Sequence, residues 1–147
     1  MERFQLFQKA LPVWPKGRAE EVNLTCRFFT QIPQHQQAKL LVAASSLYRL
    51  FVNGSFAAYG PARGPKGYFR VDEIDLTPFL TQGANSLCIE VTGYNCNSFY
   101  LMNQPSFLLA EVTAGGQILA HTARAGRFAC SVVTQRVQKL QLPAPLH

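Results

Sequence analysis

The chain has 147 residues, 48% of them hydrophobic and 12% aromatic, enough to bury one domain's core without staples, which excludes a disordered polypeptide. Lys and Arg number 14 against 8 carboxylates, a formal charge of +6 with only 15% charged residues, so acid–base chemistry has few groups to draw on. No apolar run reaches the ~18 residues of a helical membrane span, which argues against a membrane partner. Met1 to Lys9 lacks the apolar stretch of a secretory signal, which predicts a cytoplasmic protein.

In chain order, Trp14-Pro15 reads as a core or seam anchor, and Asn23 to Thr30 as the first strand. Gln31 to Gln37, with four Gln, one Pro and one His, reads as a solvated connection. Strands follow at Lys39 to Ala44 and Tyr48 to Val52. Asn53-Gly54 then sits between hydrophobic runs, a strong hairpin signal because both residues tolerate positive φ. Gly60 to Gly67 carries five turn formers in eight residues and predicts a loop. Asp75 before Leu76-Thr77-Pro78 suits a turn cap, with one helical turn over Thr77 to Leu80 and Gly83 beyond it. In Ser86 to Thr92, Leu87, Ile89 and Val91 face one way while Glu90 and Thr92 face the other. Phe107 to Thr113 and Gln117 to Thr122 form a second hairpin about Gly115-Gly116.

Short strands with Gly/Pro turns, no repeat and no linker predict an all-β fold, an antiparallel β-sandwich in one domain over residues 1–140 with an irregular tail at 141–147. The inward set is Leu40, Val42, Leu50, Val52, Leu87, Ile89, Val91, Leu108, Ala110 and Val112.

Cys26, Cys88, Cys96 and Cys130 form no C-x-x-C pair, and His35, His121 and His147 cluster with none of them, so free thiols and neither metal nor cofactor are expected. Asp72, Glu73 and Asp75 are the one carboxylate cluster, but on a strand Asp72 and Glu73 point to opposite faces, a structural arrangement rather than a catalytic pair. Two segments suit a sugar. Arg63, Lys66 and Arg70 are interleaved with Tyr59, Tyr68 and Phe69, and Tyr94 to Tyr100 is rich in amides and aromatics. Aromatic faces accept the C–H side of a pyranose, and amides bond hydroxyls as donor and acceptor. The candidate binding residues are Arg63, Tyr68, Tyr94, Asn95, Asn97 and Tyr100. The other basic residues are scattered, which argues against nucleic acid. No Ser-His-Asp order, phosphate-binding Gly-rich loop or metal triad is present.

Tyr48 to Gly54, Tyr59-Gly60-Pro61-Ala62-Arg63, Tyr68 to Asp72 and Ile74 to Leu80, ending in Gly83-Ala84-Asn85-Ser86-Leu87, together resemble a family pattern. It is that of the galactose-binding-like jelly-roll domains on the N-terminal side of bacterial α-L-rhamnosidases and related glycoside hydrolases. Trp14-Pro15 and Asn23 to Phe28 are similar to the first strand of those domains, and the resemblance covers roughly residues 12 to 140. In those enzymes hydrolysis belongs to a helical (α/α)-barrel C-terminal to the sandwiches, for which this chain has no room. After Glu111 no acidic side chain occurs in the remaining 36 residues.

The resemblance therefore implies a noncatalytic accessory sandwich, a fragment or stand-alone relic. Its partners would be the rest of a parent hydrolase and a saccharide of L-rhamnose or galactose type. Within the segment Asp75 to Asn85, Leu76 and Leu80 dip into the core and the Asn85 side chain ties the turn. The alternatives are a stand-alone carbohydrate-binding module and a small nucleic-acid or protein-interaction β domain. A surface evolved to be covered, a low charge fraction and the apolar tail from Leu140 to Leu146 also predict a homodimer, with the tail or the Trp14 region in contact.

Overall fold

The structure, a computed structural model, describes residues 7–15, 24–45, 47–60, 71–93, 107–123 and 128–133. Among them are nine strands: β1 (Leu24–Pro33), β2 (Ala38–Ala44), β3 (Tyr48–Val52), β4 (Ser55–Gly60), β5 (Asp72–Asp75), β6 (Ala84–Gly93), β7 (Leu108–Ala114), β8 (Gln117–His121) and β9 (Ala129–Val132). They form a five-stranded sheet, β4-β3-β6-β1-β9, and a four-stranded sheet, β5-β2-β7-β8, with antiparallel pairing throughout. The all-β sandwich read from the sequence is this architecture. The tail at 141–147 lies outside the described residues.

Alternation builds the core. Alternate residues of β1, β2, β3, β6 and β7 point inward and are mostly apolar, with Thr30 and Asn85 the polar positions in that phase of β1 and β6, so Phe28, Leu40, Leu50, Ile89 and Val112 meet in one cluster between the sheets. All ten residues of the expected inward set are buried. Trp14 packs at the margin of this core, its ring 5.9 Å from that of Phe28. The segment carrying it is joined to the four-stranded sheet by a bridge between Val13 and Leu108.

The stretch Gln31 to Gln37 departs from the expectation of a loop. β1 continues through Gln31, Ile32 and Pro33, paired with Ser86, Asn85 and Ala84. Ile32 is buried and keeps the period-two pattern of Phe28 and Thr30. Pro33 is tolerated because β9 pairs with β1 only from Cys26 to Phe29, leaving an open edge where no N–H is required of it. The connection proper is Gln34 to Gln37, of which Gln34, His35 and Gln36 line an open hollow together with Thr77.

The turns follow their side chains. Asn53 and Gly54 both have positive φ, as do Gly115 and Gly116, which matches the right-handed twist of the strands that each pair joins. Asp75 Oδ1 accepts the Thr77 N–H at 3.1 Å and starts a 3-10 turn over Thr77–Phe79, with Leu76 and Leu80 both buried. Asn85, fully buried, accepts from the Thr81 N–H (2.8 Å) and from Asn53 Nδ2 (2.8 Å), and donates to the Thr81 and Gly83 carbonyls (2.9 and 3.1 Å). One side chain thus holds two turns together, and nearly all of its bonding capacity is used.

Candidate functional site

The six sequence-predicted sugar contacts, Arg63, Tyr68, Tyr94, Asn95, Asn97 and Tyr100, all lie outside the described residues. The strand ends that carry their segments are described. Tyr48 pairs with both Gly60 and Val91, Val42 with Asp72, and Ala44 with Leu108, so both segments leave the sandwich at the same end.

The root of the first segment is a clasp between the sheets. Tyr48 Oη, on the five-stranded sheet, donates to Asp72 Oδ2, on the four-stranded sheet, at 2.6 Å. Gly60 is fitted against this bond. A Cβ there would stand 2.7 Å from Asp72 Oδ2 and 2.9 Å from Tyr48 Oη.

The outer face of the five-stranded sheet carries two rows that cross the strands. Phe56, Phe51, Cys88 and Phe29 are direct neighbours on β4, β3, β6 and β1. Two pairing steps along, on the same outer face, lie Tyr59, Arg49, Glu90 and Arg27 on the same four strands. A bulge in the β3–β4 pairing between Leu50 and Phe51 makes this possible, because it puts Phe56 and Tyr59, three residues apart, on the same side. Their rings lie 6.2 Å apart and inclined by 31°, and Phe51 meets Phe56 edge-on at 5.9 Å. The Arg49 guanidinium sits 6.0 Å from the Phe51 ring centre. Phe56 is 54% exposed and Tyr59 72%.

Glu90 anchors the second row. It faces outward, as the alternation of β6 requires, yet only 3% of its side chain is exposed, because Arg27 Nε bonds one carboxylate oxygen at 3.0 Å and Arg49 Nη2 bonds the other. Burial works against the charged form of Glu90, but the hydrogen bonds from Arg27 and Arg49 outweigh it and bring its pKa below the ordinary glutamate range. Both arginines stay about half exposed. Cys88, between the phenylalanines, has its thiol pushed up by burial. On the neighbouring strand pair, a hydrogen bond with Cys26 holds the exposed Cys130 thiol below its usual range.

The outer face of the four-stranded sheet is built differently. Glu111, fully buried, accepts the backbone N–H groups of Gln8, Lys9 and Ala10 at 2.8–3.1 Å. Next along, the Thr122 hydroxyl donates to the Leu11 carbonyl at 2.8 Å while the Leu11 N–H donates to the Thr122 carbonyl at 2.7 Å. The segment 8–11 is thereby sealed onto this face. On β2 and β5, Lys39 pairs with Glu73 at 3.0 Å.

Comparison with known proteins places this arrangement. No protein-family model matches the chain, and no curated protein sequence matches it. Solved structures do. The GH78-family rhamnosidase of Bacillus sp. GL1 superposes with a TM-score of 0.74 at 26% identity, over 85% of this chain and 13% of the enzyme. The chain matches a rhamnosidase-like domain. The α-L-rhamnosidase of Aspergillus terreus follows at a TM-score of 0.60 and 16% identity, over 84% of this chain and 17% of that one. The Pleurotus ostreatus lectin shares the fold at a TM-score of 0.50 and 18% identity, over 84% of this chain and 32% of the lectin. The chain spans only a small part of the length of the rhamnosidases it matches.

Arg27, Phe29, Arg49, Phe51 and Phe56 were not among the sequence-predicted site residues, and Tyr59 entered only as a companion of the 60–70 segment. The available signal was local. Outward strand positions next to solvent normally carry polar side chains, and here Phe29, Phe51 and Phe56 occupy them.

Proposed function

We propose that the chain is a noncatalytic accessory sandwich of an α-L-rhamnosidase-like glycoside hydrolase, with a scaffold role and a surface that contacts saccharide. The observation that carries this reading is the disposition of the carboxylates. The five among the described residues are all committed to the scaffold. Asp72 accepts from Tyr48, Glu73 pairs with Lys39, Asp75 caps a turn, Glu90 is held by two arginines, and Glu111 receives three amides. Glycoside hydrolysis needs two carboxyls facing each other across the scissile bond, one of them raised in pKa to act as acid. The downward shift of Glu90 is the wrong direction for such an acid. A match over 85% of this chain but 13% of the Bacillus enzyme supports the accessory role.

The test is release of the aryl group from an aryl α-L-rhamnoside by the purified chain. The expected result is no turnover above background. Turnover that disappears in Asp72→Asn would overturn the reading, since it would convert the inter-sheet clasp into a catalytic group.

A further inference from the structure

We propose that the outer face of the five-stranded sheet is a binding track for an acidic oligosaccharide, one that carries carboxylates on its sugar rings. This rests on the saccharide-contacting part of the function proposed above and moves the contact from the loop end to the sheet face. From β4 to β1 is three strand spacings, about 14 Å, and the two rows lie two residues apart along the strands, about 7 Å. An apolar rail of Phe56, Phe51 and Phe29 therefore runs beside a rail of Tyr59, Arg49 and Arg27, and both cross the same strands.

A pyranose chain has matching faces. Its C–H side stacks on aromatic rings, and its hydroxyls and carboxylates project to the flank. The flank here is cationic. Two guanidiniums oppose one carboxylate, so one positive charge is in excess, on a chain whose formal charge is +6. Each guanidinium has five N–H donors in a planar fork and gives Glu90 only part of that set, so bonding capacity remains for a sugar carboxylate. Both arginines are prepaid in conformational entropy, because Glu90, buried beneath them, already fixes their position. The bulge in β4 leaves Ala57 and Ala58 both packed against the core and brings Tyr59 beside Phe56 on the outer face.

The probe is a trigalacturonate, titrated calorimetrically into the full chain at low and high salt, with its methyl ester as the uncharged control. Binding of the acid is expected to weaken with salt, and the ester to bind about tenfold less tightly or worse. Tyr59→Ala and Arg49→Ala should each weaken the acid about tenfold, while Phe79→Ser, an exposed aromatic at the far end of the sandwich, should leave it unchanged. Circular dichroism verifies that each variant keeps its sheet content. Equal affinity for acid and ester, no binding of the acid, or self-association through this face in place of sugar binding would each overturn the inference. Binding lost in Tyr94→Ala but intact in Tyr59→Ala would also overturn it, placing the sugar at the loop end while the saccharide reading stands. Aryl-rhamnoside turnover, by contrast, would strike the noncatalytic reading and leave the track untouched.

Discussion

The two outer faces of the sandwich solve the same problem in opposite ways. On the four-stranded sheet the outward Glu111 is covered by the chain's own segment 8–11, and its carboxylate is consumed by three amides. On the five-stranded sheet, among the described residues, the outward Glu90 is covered by two arginine side chains, with exposed aromatic rings in the next row. A buried outward carboxylate is thus used once to seal a face and once to organise an open one. The first arrangement stabilises the fold, and the second holds chemistry at the surface.

The largest expected effect comes from breaking the seal. Glu111→Ala removes charge-assisted hydrogen bonds worth roughly 1.5–3 kcal/mol each, and at least one such loss should appear in urea denaturation even if water replaces the others. Amide exchange at Gln8 to Ala10 should accelerate in the same variant. Unchanged stability with unchanged exchange would mean that the segment is held by other contacts.

Gly60→Ala comes next, at the clasp that joins the two sheets. The added Cβ would fall 2.7 Å from a carboxylate oxygen, and overpacking of this kind costs about 1–3 kcal/mol. A lowered melting temperature, partly restored when Tyr48→Phe removes the hydroxyl that crowds the site, is the expected pattern. A neutral Gly60→Ala variant would show that the clasp has room.

Glu90 should make stability depend on pH. Its folded pKa lies below the ordinary glutamate value of about 4.3, so its contribution is present above that value and lost as pH falls through the lower, folded pKa. Glu90→Gln should be less stable than the parent at neutral pH, with the gap closing as pH falls below about 4.3. A gap of constant size from neutral to acidic pH would mean that the ion pairs add nothing.

The smallest effect on stability should come from the open face itself. Phe56→Ser with Tyr59→Ser removes exposed rings, and surface changes of this kind stay within about 0.5 kcal/mol. A large destabilisation would show that the rings serve the fold rather than a ligand, and would erase the contrast between the faces.

The fold was legible because alternation is local. Leu87, Ile89 and Val91 declare their shared face within one strand, and Asn53-Gly54 and Gly115-Gly116 declare their turns by conformational need. Asp75 and Asn85 were readable for the same reason, each acting on backbone a few residues away. The end of β1 was obscured because Gln31-Ile32-Pro33 carries loop composition, and its strand character comes from pairing with Ser86, Asn85 and Ala84 far along the chain. β9 was not anticipated, since Ala129 to Val132 is short and shows little alternation. The two rows on the open face belong to the same class. Phe29, Cys88 and Phe51 become neighbours only through the registers of β1, β6 and β3, which no local window contains. Glu111 was not singled out, because the partners that give it a role come from the opposite end of the sequence.

The contrast between the faces is tested most directly by mapping trigalacturonate on the isotopically labelled chain through amide shift changes. The expected result is a contiguous set of shifts on β1, β3, β4 and β6, including Phe29, Arg49, Phe51 and Tyr59, with the amides of Gln8 to Ala10 and of β7 unmoved. Shifts concentrated on the Glu111 face, or only at strand ends around Gly60 and Gly93, would contradict it.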